Sequence, residues 1–193
     1  MKPARLAMSV ILLISCSSPP ESREITALSP SPTNTAPTLR RPLASFQPAA
    51  ACAPSSGRDA ASVPGATGFV GGLEFGYQAF GSGPAYAAFS ARAGEAAVLR
   101  FADLPVREYS SRPWRFTKVI WIAPPQYQGD LLIRPTAASP AAAFDYAHGK
   151  LRPELLLTLP GDSGGYLLFS TPGCYRFQID GRAFESLVTI EVN

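Results

Sequence analysis

Ser163 is the residue of this chain whose surroundings most suggest catalysis. It lies in the pentapeptide Gly-Asp-Ser-Gly-Gly at residues 161–165. A serine hydroxyl attacks an acyl group only when a neighbouring base takes its proton and a third group orients that base. The one imidazole in the chain belongs to His148, 15 residues before Ser163. The sequence therefore offers one candidate nucleophile and one candidate base, close together in the chain.

The same pentapeptide surrounds the nucleophile of trypsin-like serine proteases, but the similarity ends there. Those enzymes carry the histidine far upstream, in a separate barrel, and nothing in this sequence resembles their histidine motif. Asp162, Gly164 and Gly165 are common turn residues and separate two apolar runs. We therefore expect Ser163 to be a turn residue and the protein to have no protease activity.

Metal and carboxylate chemistry have little support in the sequence. A metal site needs several converging ligands, whereas the chain has a single histidine and no Cys-x-x-Cys pair. His148 is therefore expected to be an exposed loop residue. Asp145 and Asp162 can be paired as the acid and base of glycoside hydrolysis, but carboxylates scattered over turns offer many such pairs. We predict no catalytic residue, no metal and no cofactor, and so a protein that is not an enzyme.

The N-terminus indicates a different chemistry, at Cys16. A short basic region precedes an apolar run at residues 6–14, which is too short to span a bilayer and is typical of a secretory signal peptide. The run ends in Leu-Ile-Ser-Cys at residues 13–16, which resembles the lipobox of bacterial lipoproteins. The resemblance implies that residues 1–15 are a signal peptide and that Cys16 becomes the lipidated, palmitate-bearing first residue. An ordinary secretory signal with a chance cysteine is the alternative.

Such an anchor implies a partner and a location. Two acyl chains already suffice for stable membrane attachment, so we expect a lipoprotein on the extracytoplasmic side of the bacterial cell envelope. Residues 16–65 hold nine of the chain's 20 prolines and show no sustained periodicity, which predicts a disordered tether. Beyond the tether, 11 basic side chains balance 11 acidic ones, and this balance argues against a nucleic-acid partner.

Residues 66–193 are predicted to form one all-β domain. Short segments with a period of two alternate with Gly- and Pro-containing breaks, and none sustains an amphipathic helix. This pattern favours an antiparallel β-sandwich, with a small barrel as the alternative. The predicted strands are residues 73–80, 85–91, 96–101, 115–123, 130–134, 155–159, 166–169, 174–179 and 184–192.

The last two predicted strands carry a resemblance to known domains. The segment TPGCYRFQIDG (171–181), with Asp-Gly as a hairpin signal, resembles the end of immunoglobulin-like domains. Together with GSGPAY (81–86), WRFTKVIW (114–121) and YQGDLLIR (127–134), it is similar to uncharacterised bacterial lipoproteins with an immunoglobulin-like C-terminal domain. Their ending is PGCYxxQxDGxxF. The resemblance implies an immunoglobulin-like β-sandwich and transfers neither an activity nor a site.

The aromatic residues have two interpretations. Trp114, Trp121, Tyr127, Tyr166 and Tyr175 can form a stacking platform for a carbohydrate, or they can pack in the core. Trp121 and Tyr175 lie inside predicted strands, so we expect them in the core. Trp114 and Tyr127 flank a central strand and are the better candidates for an exposed surface.

The two remaining cysteines are an even pair in a chain that we expect to be exported, where disulfides persist. Tyr175, Phe177 and Ile179 form the apolar face of a predicted strand. Cys174 lies at the alternate position, so its side chain is expected on the opposite face. We therefore predict a Cys52–Cys174 disulfide across the outside or edge of the sandwich, which would begin the ordered region near residue 50. Two free thiols are the alternative.

From these observations we expect a lipid-anchored envelope domain without enzymatic activity, which interacts with an envelope protein or a wall polymer. The alternative is a carbohydrate-binding or hydrolytic accessory lipoprotein. An exposed row of aromatic residues beside carboxylates would favour the alternative.

Overall fold

The structure of the protein, a computed structural model, describes residues 39–45, 52–66, 76–92, 94–109, 112–136, 139–145, 149–159 and 164–193. The predicted signal peptide and four residues considered for chemistry lie outside these ranges, namely Cys16, His148, Asp162 and Ser163.

The described residues form twelve β-strands and two single turns of 3-10 helix, Ala60–Ser62 and Phe101–Asp103. The strands are β1 Gly57–Asp59, β2 Tyr77–Phe80, β3 Tyr86–Ser90, β4 Val98–Leu99, β5 Val106–Tyr109, β6 Arg112–Ile122, β7 Gly129–Pro135, β8 Ala142–Asp145, β9 Leu155–Leu159, β10 Gly164–Phe169, β11 Gly173–Asp180 and β12 Glu185–Val192.

These strands build two sheets. The seven-stranded sheet has the order β1-β2-β3-β6-β10-β8, and β5 also pairs with the long strand β6. The five-stranded sheet has the order β4-β12-β11-β7-β9, in which β4 and β12 are parallel and the other neighbours are antiparallel. The predicted all-β sandwich is therefore confirmed.

The core lies between the two sheets because alternate residues of each strand turn inwards. In β11 the inward residues are Tyr175, Phe177 and Ile179, all fully buried. They pack against the inner face of the other sheet, where Phe144 makes edge-to-face contact with Phe177 at a centroid distance of 5.9 Å. Trp121 and Tyr175 both belong to this core, as predicted.

Three strands differ from the sequence-based prediction. Strands β5 and β8 lie in segments to which no strand was assigned, and β1 lies within residues 16–65, the range predicted as tether. Strand β1 reads Gly-Arg-Asp and carries no apolar signal, but its backbone pairs with β2 and Gly57 N–H donates to the carbonyl of Glu95 at 3.0 Å. The sandwich therefore includes residues on the N-terminal side of residue 66.

A second difference concerns the two glycines after Ser163. Gly164 and Gly165 were expected in a turn, but they begin β10 and pair with Ile120 and Val119 of β6. The pairing is possible because β6 extends to Ile122 and so still presents backbone groups opposite the two glycines, whose own backbone completes the ladder.

The N-terminal segment, residues 39–45 and 52–66, lies against the outside of the sandwich. Cys52 forms the predicted disulfide with Cys174 of β11, with the two Cα atoms 5.6 Å apart. Cys174 occupies the face of β11 opposite the core residues, so the bond lies outside the sandwich, as its parity indicated. From there Ser55 bonds to Thr189 of β12, and the chain continues into β1 at the edge of the seven-stranded sheet.

Candidate functional site

The outer face of the seven-stranded sheet is divided into two parts. One part is covered by residues 60–66, whose apolar side chains pack on Ala79, Ile120 and Ile122. The other part carries a cluster of aromatic side chains, which we call the aromatic patch. It comprises Tyr109, Trp114, Phe116 and Tyr166, with Ala143, Leu151 and Leu168 beside them.

Strand pairing brings these side chains together from distant positions. Strand β6 turns Trp114 and Phe116 outwards, because Val119 and Trp121, at the opposite parity, face the core. Strand β5 sets Arg107 opposite Trp114. On the other side of β6, Tyr166 of β10 pairs with Asp145 of β8. The four strands β5, β6, β10 and β8 thus each contribute a residue to one face.

At the centre of the patch lies a buried carboxylate. The side chain of Asp145 is 1% exposed, and its Oδ2 atom accepts hydrogen bonds from Arg107 Nη1 at 3.0 Å and from the Tyr109 hydroxyl. Its Oδ1 atom accepts from the backbone N–H of Gly149 at 3.1 Å. The carboxylate is paired and hydrogen-bonded, as a buried charge must be to avoid a large desolvation cost.

Aromatic rings hold the arginine of this pair. The guanidinium of Arg107 lies 5.1 Å from the ring centroid of Phe116 and 4.9 Å from that of Tyr166. The two rings meet edge to face at 5.2 Å. Such cation–π contacts favour a fixed guanidinium over a solvated one. Because the side chain of Arg107 is still 41% exposed, the cation is both positioned and accessible.

The electrostatics of the site follow from this geometry. Burial raises the pKa of Tyr109 above its ordinary value, and the hydrogen bond to Asp145 acts in the same direction. The hydrogen bond to Tyr109 raises the pKa of Arg107, with a further contribution from Asp145. At neutral pH the centre therefore holds a neutral phenol beside a permanent cation.

This arrangement is suited to binding rather than to proton transfer. Both oxygens of Asp145 already accept hydrogen bonds, so the carboxylate is not free to act as a base. The accessible donor is the outer side of the Arg107 guanidinium, which suits a partner that presents carbonyl, carboxylate or hydroxyl oxygens. The indole N–H of Trp114 is buried and has no acceptor among the described residues. Within the same residues, no cluster of His, Cys, Asp and Glu has the makings of a metal site.

The five aromatic residues singled out in the sequence do not form one platform. Trp121 and Tyr175 lie in the core, and Tyr127 packs edge-on against Phe184 at 5.1 Å, with its hydroxyl donating to the carbonyl of Asp130 at 2.5 Å. Only Trp114 and Tyr166 share the aromatic patch, and both are partly buried.

Sequence reasoning missed Arg107 and Tyr109 and considered Asp145 only together with Asp162, as one of many carboxylate pairs. Arg107 and Tyr109 are separated by one residue, which is the spacing of two side chains on one face of a strand. That alternation was the available signal. It is weak because β5 is only four residues long and Val106, which begins it, is exposed.

Comparison with protein-family models, with curated proteins and with solved structures gives no match for this chain.

Among the described residues, no helix has the length and apolar character needed to cross a bilayer.

Proposed function

We propose that the protein is a lipid-anchored, non-enzymatic domain of the bacterial cell envelope that binds an envelope protein or a wall polymer through the aromatic patch. The observation that carries the binding role is the Arg107–Asp145 pair. It fixes an accessible cation among aromatic rings on the part of the outer sheet face that residues 60–66 do not cover. Aromatic residues and arginine are the side chains enriched at the energetic centres of protein interfaces.

The location rests on the chain's N-terminal chemistry and on its disulfide. The Leu-Ile-Ser-Cys sequence ending at Cys16 supports lipidation, and the Cys52–Cys174 bond fits an oxidising compartment. Both support the extracytoplasmic side of the envelope.

An immunoglobulin-like assignment is part of this proposal. The hydroxyl of Tyr175 donates to the carbonyl of Thr171, four residues upstream, at 2.5 Å. Immunoglobulin domains have a comparable tyrosine corner near the start of a late strand. The disulfide departs from that family, because antibody domains pin their two sheets from inside whereas Cys52–Cys174 lies outside.

Site-specific photo-crosslinking in cells tests the binding role. A benzophenone amino acid at Lys118, which is exposed and pairs with Tyr166 at the patch, is expected to give a discrete adduct of higher mass. Thr158, exposed on the outer face of the other sheet, is the matched control and should give none. Adding Arg107→Ala should weaken the Lys118 adduct. Adducts of equal yield from both positions, or an adduct that Arg107→Ala does not change, would contradict the proposal.

Carbohydrate binding is the second candidate, and the partly buried pair of Trp114 and Tyr166 beside a carboxylate favours it. Against it stands the engagement of Asp145, whose oxygens are already used. Digesting the wall polymer before crosslinking separates the candidates. An adduct with a protein survives digestion, whereas an adduct with a polymer shortens or disappears.

The non-enzymatic character has its own test at Ser163. A serine-directed phosphonate probe should leave the purified full chain unmodified, since nothing in the sequence resembles the histidine motif that supplies the base in trypsin-like proteases. Ser163→Ala should change the free energy of unfolding by less than about 0.5 kcal/mol. Stoichiometric labelling that is lost in Ser163→Ala would instead establish a nucleophile.

A further inference from the structure

The outer face of the five-stranded sheet holds polar side chains that are as buried as the core. Gln178 and Asp180 of β11 are 0% exposed and Arg134 of β7 is 7% exposed. Strand parity places them on the outer face, because Phe177 and Ile179 face the core. Side chains at such positions normally remain in water. Here residues 39–45 cover these side chains and form hydrogen bonds with them.

Three of these contacts involve only the backbone of the covering segment. The side-chain amide of Gln178 donates to the carbonyl of Pro42 at 3.1 Å and accepts from the N–H of Ala44 at 2.7 Å. Arg134 donates from Nη2 to the carbonyl of Arg41 at 2.6 Å and to Asp180 at 2.5 Å. Such bonds hold an extended peptide whatever its side chains are.

A further set of contacts selects arginine. The guanidinium of Arg41 donates to the carbonyls of Gly181 at 2.5 Å, Phe184 at 2.8 Å and Arg182 at 2.8 Å. It also lies 3.8 Å from Oδ1 of the buried Asp180. A planar fork with five donors matches three convergent carbonyls, whereas the compact ammonium of lysine does not. We call these carbonyls and Asp180 the arginine pocket.

The turn between β11 and β12 allows these carbonyls to converge on Arg41. A Cβ atom on Gly181 would lie 2.5 Å from the ring of Phe184, so glycine allows the ring to pack beneath the turn while the carbonyls point outwards. The neighbouring Arg40 adds an exposed ion pair, in which its Nη2 atom donates to both carboxylate oxygens of Glu154 at 2.6 and 2.8 Å. This exposed pair contributes little by comparison. Leu43 is 38% exposed, so part of its side chain remains in solvent.

We propose that this face is a binding site for an extended, arginine-bearing peptide, and that residues 40–44 are its resident ligand, bound in cis. The ligand class is a segment with arginine at the position of Arg41 and, three residues later, a residue that has a backbone N–H. The site takes the matching segment of a partner protein when the resident segment is displaced. The inference depends on neither the lipid anchor nor the aromatic patch.

The covalent connection explains why the site is closed at rest. Cys52 is bonded to Cys174 on the strand that carries Gln178 and Asp180. Seven residues separate Ala44 from Cys52, so a short connection gives the resident segment a high effective concentration at the site. A free peptide therefore competes poorly with the resident segment for the site. A change that weakens the binding of Arg41 in the arginine pocket frees the site for such a peptide.

A labelled heptapeptide with the sequence of residues 39–45, LRRPLAS, tests the proposal by fluorescence anisotropy on the full chain. Because Arg41→Ala removes several hydrogen bonds to a charged group, that variant should bind the peptide at least about tenfold more tightly than the unchanged chain. The control peptides LRKPLAS and LRAPLAS should bind at least about tenfold more weakly than LRRPLAS. Equal affinity of the two chains, or of the three peptides, overturns the proposal.

A second measurement covers the case in which the variant does not fold. In the unchanged chain the N–H of Ala44 is protected by Gln178, so its hydrogen exchange reports occupancy of the site. Excess LRRPLAS should accelerate that exchange, and excess LRAPLAS should not. An exchange rate that both peptides leave unchanged shows a permanent structural segment and refutes the exchangeable site.

Discussion

At the scale of single residues, the centre of the aromatic patch depends on a tyrosine that stays protonated. The Tyr109 hydroxyl donates to Asp145, and the same carboxylate pairs with Arg107. Removing the hydroxyl leaves one lone pair of a buried carboxylate without its donor. That loss costs more than the net value of an ordinary hydrogen bond, because the group left behind stays desolvated.

Tyr109→Phe is therefore expected to lower the free energy of unfolding by about 1 to 3 kcal/mol at pH 7. The pKa of Tyr109 is raised in the folded protein, so the folded state keeps its proton at a pH where the unfolded chain has lost it. This contribution is fully present below the unfolded pKa of about 10 and is lost as the pH rises through the folded pKa. The difference between the variant and the unchanged chain should thus narrow above pH 10.

Urea unfolding at pH 7.5 and at pH 10.5 measures this difference. Tyr77→Phe, at a half-buried tyrosine of the same sheet, controls for the loss of a hydroxyl elsewhere. If Tyr109→Phe lowers the free energy of unfolding by the same amount at both pH values, the pKa of the Tyr109 hydroxyl is not raised as described.

At the scale of elements, the N-terminal segment covers part of the outer face of each sheet. Residues 39–45 cover the five-stranded sheet, the disulfide fixes Cys52 to β11, and residues 60–66 cover part of the seven-stranded sheet. A short sequence without a periodic apolar pattern thus contacts both sheets. The segment is held by hydrogen bonds, by one covalent bond and by the buried side chains of Ala60, Val63 and Ala66.

Replacing both bonded cysteines, Cys52→Ser with Cys174→Ser, should lower the free energy of unfolding by about 2 to 4 kcal/mol, because the unfolded chain regains the freedom of a long loop. Thermal unfolding under non-reducing conditions measures the loss. The unchanged chain in reductant is the control and should approach the variant. Two separately alkylatable thiols in the unreduced, unchanged protein would show that the bond does not form.

The same elements show what the sequence could predict. The hairpin of β11 and β12 was predictable because seven or eight alternating residues and an Asp-Gly turn act locally, and the external position of Cys174 followed from that alternation. The partners of Gln178 and Asp180 were not predictable, because their contacts with residues 41–44 join positions more than 130 residues apart. Alternation placed Gln178 on the face opposite the core and the Asp-Gly signal placed Asp180 in the hairpin turn, whereas long-range packing buries both side chains.

The candidate site shows the same limit. Asp145 was considered only as one carboxylate among many, since its partners Arg107 and Tyr109 lie 38 and 36 residues away. They meet only when β5, β6, β10 and β8 are placed in order across one sheet. Sheet order is set by the whole fold and not by any single segment, so the individual strands could be predicted better than the site that they build.

At the scale of the whole molecule, the two sheets present different surfaces. One outer face carries an accessible cation among aromatic rings, and the other is partly covered by the chain's own arginine-bearing segment. We propose that these surfaces belong to an exported, lipid-anchored binding domain, whose N-terminal segment is bonded to β11 through Cys52–Cys174.

Intact-mass measurement of the protein extracted from membranes tests this account most directly. We expect a chain that begins at Cys16, carries the added mass of its acyl groups and is lighter by two hydrogens for the Cys52–Cys174 bond. Cys16→Ala should abolish both the added mass and the membrane association. A mature chain that begins elsewhere, or one that retains an unmodified thiol at Cys16, would contradict it.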